Sequence, residues 1–371
     1  MLFADSETQK LMRDTARSFL RDRYPWERLY DLERGRAELS PADLAELASL
    51  GWLGLIAPES GGGAGASLLE AAVVIEELGY AGVPAPVSAA TVATHLLALS
   101  RSPEATTHLR QLASGARLYT LSEASRRPGS PNGQAHTPLA SLEGGRLNGV
   151  IPLVPFGGAA DFVVAPITVG APAFALVPLE SALREPVRVL DRADYYNVRF
   201  EDAPGNDVLL LAKGASAEEM HERCDALCTA FGLIELAGLM QRVTEMTAEY
   251  ISNRVQFGQP IAKFQAARHH AADMLMQTQT ARWTAYHALD RFESNPSDTG
   301  EIWLAKHWAV RASQTVFELA HLLHGGVGVG TEYPLHLLTQ GVAAFAVRSG
   351  DMNEVVARIN DGLGFAGAPA A

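Results

Sequence analysis

The chain contains few cysteines and few charged residues, and its charge balance is acidic. Only two cysteines occur among 371 residues, which excludes the disulfide framework that holds many small secreted domains together. The formal net charge of −12 argues against a nucleic-acid partner. Hydrophobic residues make up 47% of the chain and charged residues 19%, which is typical of a well-packed globular protein of two or three domains.

Long uninterrupted hydrophobic runs are also scarce. The segment 162–179 carries no formal charge, but its prolines and one glycine divide it into short strands rather than one membrane span. Near the N-terminus, Asp5, Glu7 and Lys10 interrupt any stretch that could act as the apolar core of a signal peptide. We therefore expect no membrane association and a cytoplasmic location.

The two cysteines do not suggest a metal site. Cys224 and Cys228 lie one turn apart on a predicted helix, with His221 on the same face. Positions 221 and 228 are separated by roughly 10.5 Å along a helix axis, too far for both side chains to bind one ion easily. The pattern favours two small core residues and no bound metal.

The periodicity of the chain changes twice. Helical patterns run to about residue 118, beginning with a possible N-cap at Ser6. Short β-rich segments bounded by Gly or Pro follow, and long helical patterns return from about residue 215. The predicted fold class is α+β, with an N-terminal helical domain (1–118), a central β-barrel-like domain (119–214) and a C-terminal four-helix bundle (215–371). The bundle helices are predicted at 216–253, 264–292, 297–324 and 351–361.

A turn between two predicted helices combines a cationic and an aromatic side chain. Residues 254–261 read RVQFGQPI, and Phe264 and Gln265 follow at the start of the next helix. The guanidinium of Arg254 and the ring of Phe257 would suit a phosphate and a flat heterocycle. On the residues alone, a plain corner between helices is the commoner interpretation of such a pattern.

This segment resembles the signature of the acyl-CoA dehydrogenase family, R-x-x-F-G-x-P-[IL]-x-x-F-Q followed by H-x-x-A-D-M, without a gap. Residues 324–335, HGGVGVGTEYPL, resemble the family's G-G-x-G…E-Y-P segment. Residues 51–63, GWLGLIAPESGGG, are similar to a marker of its N-terminal domain. The resemblance covers nearly the whole chain, and the architecture it implies is the one predicted from periodicity.

The resemblance implies an FAD-dependent desaturation of an acyl-CoA thioester between Cα and Cβ. In the family, the two C-terminal segments hold the ADP half of an FAD that a neighbouring subunit mainly binds. Arg254 and Phe257 would then contact the pyrophosphate and adenine, Gln265 would assist, and the backbone at Gly325 and Gly326 would approach the cofactor closely.

The carboxylate that removes the α-proton is missing from both places where the family has it. Counting without gaps, one position falls on Arg348, which stays charged and cannot accept a proton, and the other falls on Cys228. A shift of the alignment would bring Asp351 or Glu354 to the first position, or Asp225 to the second. A subunit without its own base is the favoured interpretation.

The strand segments that face the flavin in the family are also altered. Ser122 stands where the family has a threonine, and it is kept as a candidate cofactor contact. Leu153 stands in place of a tryptophan and Pro155 in place of a threonine, which removes a hydroxyl and a backbone donor. The run 126–138 is either a loop near the CoA entrance or a plain connection.

The chain has the family's residues for one half of an FAD site and lacks them for the other half. In this it resembles subunits of the heteromeric acyl-CoA dehydrogenases of actinobacterial steroid side-chain breakdown. The resemblance implies an α2β2 tetramer with a second acyl-CoA dehydrogenase subunit, an acyl-CoA substrate and an electron-transfer acceptor. Three alternatives remain open: an active homotetramer with a displaced carboxylate, a flavin monooxygenase or oxidase on the same fold, and a CoA-binding module without flavin.

Overall fold

The computed structural model describes residues 4–33, 40–100, 102–122, 139–190, 193–348 and 352–362. The chain divides into two compact units. The first unit comprises Met1–Glu38, Ala72–Pro84 and Thr229–Ala371, and the second comprises Leu39–Ala71 and Ala85–Cys228. The domain boundaries drawn from the sequence, after residues 118 and 214, stay a prediction.

The N-terminal third of the chain is helical, as predicted. Its helices are α1 (Glu7–Arg23), α2 (Trp26–Glu33), α3 (Pro41–Ser49), α4 (Leu68–Ala81), α5 (Val87–Ser100) and α6 (Pro103–Ala113). Side-chain caps explain several starts: Ser6 and Gln9 form a capping box at α1, and Ser40 and Asp43 form one at α3. Ser102 accepts from the Ala105 N–H at the start of α6.

The central β region lies in the second unit and forms one mixed sheet of eight strands. The strands are β1 (Tyr119–Leu121), β2 (Ala140–Glu143), β3 (Arg146–Pro155), β4 (Phe162–Thr168), β5 (Pro172–Pro178), β6 (Leu183–Val187), β7 (Tyr195–Pro204) and β8 (Leu209–Lys213). The order is β6-β7-β3-β2-β4-β5-β8, and β1 pairs in parallel with β4. Alternating buried residues such as Ile151, Val163 and Val198 form its core.

Long helices return in the C-terminal part. They are α7 (Ala215–Asn253), α8 (Gln265–Ser294), α9 (Gly300–His324), α10 (Leu335–Arg348) and α11 (Met352–Gly362). Two short strands, β9 (Val255–Gln256) and β10 (Gln259–Pro260), form a hairpin between α7 and α8. Within the described ranges, α7 is the one helix long and apolar enough to cross a membrane, but 83% of its apolar window is buried inside the protein, as in a core helix.

The segment after the E-Y-P motif forms helix α10, which is not among the helices predicted from the sequence. An apolar face explains why this helix forms. Leu335, Leu337, Leu338 and Phe345 are all buried along α10. Arg348 is therefore the last residue of a packed helix.

Helices α4 and α7 cross with their backbones in contact inside the first unit. A Cβ atom on Gly79 would lie 2.1 Å from the carbonyl oxygen of Glu235. A Cβ on Gly238 would lie 2.1 Å from the carbonyl oxygen of Glu76. Any side chain at either glycine would force the two helices apart.

A buried ionic cluster joins α1, α4 and α8 in the same unit, and we call it the Glu76 cluster. Glu76 accepts hydrogen bonds from Arg13 at 2.8 Å, from Arg282 at 2.6 Å and from the Tyr286 hydroxyl at 2.7 Å. Glu77 accepts from Arg13 at 2.6 Å. The members of the cluster are Asp5, Arg13, Arg17, Glu76, Glu77, Arg282 and Tyr286.

Candidate cofactor site

The turn that carries Phe257 is strained and faces solvent. Strands β9 and β10 are joined by Phe257 (φ 53°) and Gly258 (φ 82°), so both central residues are left-handed, as in a type I′ turn. Glycine, asparagine and aspartate normally occupy such positions, and a bulky residue there is uncommon. The Phe257 side chain is 91% exposed, and its ring meets the Phe264 ring edge-on, with 6.2 Å between the ring centroids. The chain thus holds an aromatic ring outward at a conformational cost.

Arg254 lies at the base of this hairpin with an available guanidinium. Its backbone closes the hairpin, because its N–H donates to the Tyr250 carbonyl and its carbonyl accepts from the Ile261 N–H at 2.9 Å. The side chain is exposed, and it has no hydrogen-bond or ion-pair partner within the described part of the chain. An arginine in this state is ready to bind an anion.

The N-terminus of α8 lies next to the hairpin in sequence and also suits an anion. Gln265 is its first residue, and the N-cap residue Phe264 supplies no side-chain hydrogen bond. The first turn contains no acidic residue. The free N–H groups and the positive end of the helix dipole are therefore not neutralised locally. The exposed amide of Gln265 lies 3.4 Å from the His269 ring.

The glycine pair after α9 leaves an open backbone surface. Gly325 has φ 59° and ψ −140°, a conformation that essentially only glycine adopts. Gly326 does not have a positive φ angle, and a Cβ atom built on it would meet nothing within 4 Å, so a side chain would fit there. Neither packing nor conformation within the described residues explains the missing side chain at Gly326. Close approach of the backbone to another group is one use of a glycine at such a position.

A histidine that sequence reasoning quoted only as part of a motif supports this glycine pair. His324 is buried and stacks on Tyr250 at 4.4 Å between ring centroids. Its Nδ1 is 2.8 Å from the Ala320 carbonyl and its Nε2 is 3.1 Å from the Tyr333 hydroxyl. Burial lowers the pKa of His324, so the ring is neutral, with Nδ1–H donating and Nε2 accepting. The ends of α7 and α9 are thereby fixed together.

The structure supplies no carboxylate at the two counted base positions. Cys228 is a buried thiol on α7, and Arg348 ends α10. Of the proposed substitutes, Asp225 is buried on α7, whereas Glu354 accepts a hydrogen bond from Arg358 at 3.0 Å on α11. Asp351 lies outside the described residues.

The strand positions that correspond to flavin contacts are occupied in other ways. Ser122 is buried, and its Oγ donates to the Pro152 carbonyl at 2.8 Å. Pro155 pairs with Tyr195 on β7 and has no N–H. Leu153 lies in an irregular part of β3 with φ 51° and offers an apolar side chain. Leu153 and Pro155 do not fit a polar contact to a flavin. Ser122 stays a candidate contact, and the exposed Arg254 and the N-terminus of α8 suit a nucleotide diphosphate.

Two family models match the chain. Residues 229–362 match the acyl-CoA dehydrogenase C-terminal domain, and residues 6–116 match the acyl-CoA dehydrogenase N-terminal domain. The chain belongs to the acyl-CoA dehydrogenase family. Members of this family are oxidoreductases that use FAD, in agreement with the cofactor predicted from the sequence.

Curated relatives of this chain include mycobacterial acyl-CoA dehydrogenases. Acyl-CoA dehydrogenase FadE28 of Mycobacterium tuberculosis is 26% identical over 281 residues, which cover 75% of this chain and 80% of the relative. Acyl-CoA dehydrogenase IpdE2 of Mycolicibacterium smegmatis is 27% identical over 312 residues, which cover 84% of each chain.

Solved structures confirm the predicted fold over the whole chain. A variant of the Tcur3481-Tcur3483 steroid ACAD is 25% identical, with a TM-score of 0.84 over 97% of this chain and 98% of the other. The ChsE4-ChsE5 complex from Mycobacterium tuberculosis contains a chain that is 24% identical, with a TM-score of 0.86 over 100% of both chains. The predicted site residues, Arg254, Phe257, Gln265, Gly325, Gly326 and Ser122, are not tested by these likenesses and stay a prediction.

Proposed function

We propose that this chain is the partner subunit of an FAD-dependent acyl-CoA dehydrogenase that desaturates an acyl-CoA thioester. It completes the FAD site of a second, complete subunit and has no catalytic base of its own. The assembly is an α2β2 tetramer that passes its electrons to a separate acceptor protein.

The observation that carries the proposal is the turn at Phe257. A hairpin that only had to join α7 and α8 would be more stable with asparagine or glycine at position 257. The ring instead points into solvent beside the available guanidinium of Arg254. Groups held outward in this way serve a ligand or a subunit that comes from outside the unit.

The residues of this chain would act by binding and orienting. Arg254 and the N–H groups at the start of α8 would hold the pyrophosphate, Phe257 would lie against the adenine, and Gly326 would let the backbone approach. Bound FAD supplies the hydride acceptor for the β-hydrogen of the acyl group. Arg348 cannot take the α-proton because it is always charged. The complete subunit must therefore provide the carboxylate.

The comparisons support a bulky substrate and a heteromeric assembly. The 25% identical structure is a variant of a steroid ACAD that is named for two components, Tcur3481 and Tcur3483. By that likeness, we propose that the substrate is the CoA thioester of a steroid-derived acid. A flavin-free cleft beside the active one would leave room for such a polycyclic group.

The test is the flavin and mass stoichiometry of the purified protein. We expect the chain alone to bind little FAD, and co-expression with a complete acyl-CoA dehydrogenase to give a tetramer with one FAD per two chains. In that tetramer, Arg254→Gln should lower the FAD content, whereas Arg311→Gln, another exposed arginine of the first unit, should not. A stable homotetramer with one FAD per chain would refute the proposal.

The burial of Asp225 favours one alternative, an active enzyme with a displaced base. Asp225 lies one helical turn before Cys228 and is buried on α7. In that case the isolated chain would bind FAD and oxidise an acyl-CoA, and Asp225→Asn would abolish turnover without loss of FAD. The Glu222→Gln variant, at an exposed carboxylate on the same helix, is the matched control.

A further inference from the structure

A cavity of about 460 Å³ lies within the first unit, apart from the residues of the candidate FAD site. The end of α1, the start of α2, the end of α4 and the middle of α7 form its walls. This volume is in the range of pockets that enclose a small organic ligand. Neither the family resemblance nor the proposed function makes use of it.

Four side chains of the wall alternate between cation and aromatic ring. The Arg17 guanidinium lies 4.1 Å from the Tyr80 ring centroid, and the Arg242 guanidinium lies 5.2 Å from the same ring. Arg242 also lies 5.2 Å from the Trp26 ring. Contacts of this kind fix the position and plane of a guanidinium. The cations of this wall are thus preorganised.

The acids around the cavity are already engaged or exposed. Glu77 forms ion pairs with Arg13 and Arg17. Glu245 accepts a hydrogen bond from the Tyr80 hydroxyl, and Glu27 is an exposed residue of the lining. No carboxylate of these three therefore offsets the charge of Arg242 by a direct ion pair.

Arg242 is a cation of this wall that has unused hydrogen-bond donors and no ion pair within the described residues. Its Nη1 donates to the Tyr80 hydroxyl at 3.2 Å. A guanidinium offers several donors in one plane, which match the two oxygens of a carboxylate or phosphate. The neighbouring Trp26 also lines the cavity and offers a ring surface to a flat ligand.

We propose that this cavity binds a planar aromatic anion, whose carboxylate or phosphate pairs with Arg242 and whose ring lies against the aromatic wall. The site is independent of FAD binding. It gives the subunit a second ligand besides the nucleotide it helps to hold.

The probe for this site is 2-naphthoate, with the uncharged 2-naphthamide as its matched control. Binding is measured by calorimetry on the full chain, alone and in complex with the complete subunit, with FAD at saturation. We expect a Kd for 2-naphthoate below about 1 mM and at least about tenfold tighter than that of 2-naphthamide. Competition with AMP then distinguishes a nucleotide from an aryl carboxylate as the source of the anion.

Variants and an exchange experiment locate the binding. Arg242→Gln and the more conservative Arg242→Lys should each raise the Kd for 2-naphthoate by about tenfold, whereas Arg311→Gln should leave it unchanged. Hydrogen exchange on the unmodified chain avoids any folding defect and should show protection at 17–27, 77–81 and around 242. The proposal is overturned by equal binding of the two naphthyl compounds, by protection elsewhere, or by no binding of either 2-naphthoate or AMP at about 1 mM.

Discussion

Replacing Glu76 by glutamine should destabilise the first unit strongly although it keeps the shape of the side chain. Glu76 is 3% exposed and accepts from Arg13, from Arg282 and from Tyr286. Glutamine has no negative charge, and its NH2 group would face the N–H and O–H groups that now donate to Glu76. Breaking a buried pair by removing one partner costs about 3–5 kcal/mol. Because Arg13 keeps Asp5 and Glu77 as partners, we expect the free energy of unfolding to fall by about 3 kcal/mol, at the lower end of this range.

The pH dependence of this effect follows from the direction of the pKa shift. Burial acts to raise the pKa of Glu76, but the hydrogen bond from Arg282 and the charges of Arg13 and Arg282 outweigh it, so the pKa is lowered from 4.5. A lowered pKa in the folded state stabilises the protein above the unfolded value and loses this contribution as the pH falls through the folded value. The difference between wild type and Glu76→Gln should therefore be constant from pH 8 to about 5 and shrink at lower pH.

Urea unfolding followed by circular dichroism measures this difference as a shift of the transition midpoint at constant slope. The control is Glu7→Gln, which breaks the exposed pair of Glu7 with Lys10 on α1 and should barely move the midpoint. If Glu76→Gln and Glu7→Gln behave alike, or if the difference persists unchanged at about pH 3, the reasoning about the buried cluster is refuted.

Three further predictions concern single residues. Gly326→Ala should leave the melting temperature unchanged, because its Cβ meets nothing within 4 Å, while lowering the FAD content of the heteromeric complex. Phe257→Asn should relieve the left-handed strain and stabilise the hairpin, yet weaken FAD binding by about three- to tenfold in a flavin titration of that complex. Burial, with the charge of Arg223, lowers the pKa of His95 to about 4. Its NMR signals should therefore not titrate between about pH 7 and 5, and protonation at lower pH should destabilise the fold because the unfolded ring has the higher pKa.

Local patterns predicted the elements whose signals are local. The N-cap predicted at Ser6 marks the start of α1, and the β-rich segments predicted after residue 118 form the eight-stranded sheet. Strand β6 (Leu183–Val187) has no local signal, because its residues are mostly exposed and include a proline, so no alternation is visible. The strand instead follows from pairing with β7. The motifs likewise predicted the candidate site residues but not the support that His324 receives from Tyr250.

The Glu76 cluster had no local signal at all. Glu76 and Arg282 are separated by 206 positions in the chain, and an isolated arginine in an amphipathic helix is usually read as exposed. Only the packing of α1, α4 and α8 brings the charges together. Gly79 alone indicates a close helix crossing near this cluster, since close contact between helices is one of the few uses of glycine inside a helix.

The kept and the altered parts of the candidate site differ in what the chain itself gains from them. The Leu153 N–H donates to Asn197 Oδ1 and Pro155 pairs with Tyr195, so both altered residues have a use within the sheet without any cofactor. Phe257 has no comparable use, because its ring is exposed and its backbone conformation costs about 1–3 kcal/mol relative to a residue suited to the turn. A hairpin free of external demands would lose that cost by a single substitution. The cost therefore supports the proposed role of this chain, in which a group outside the unit contacts the ring.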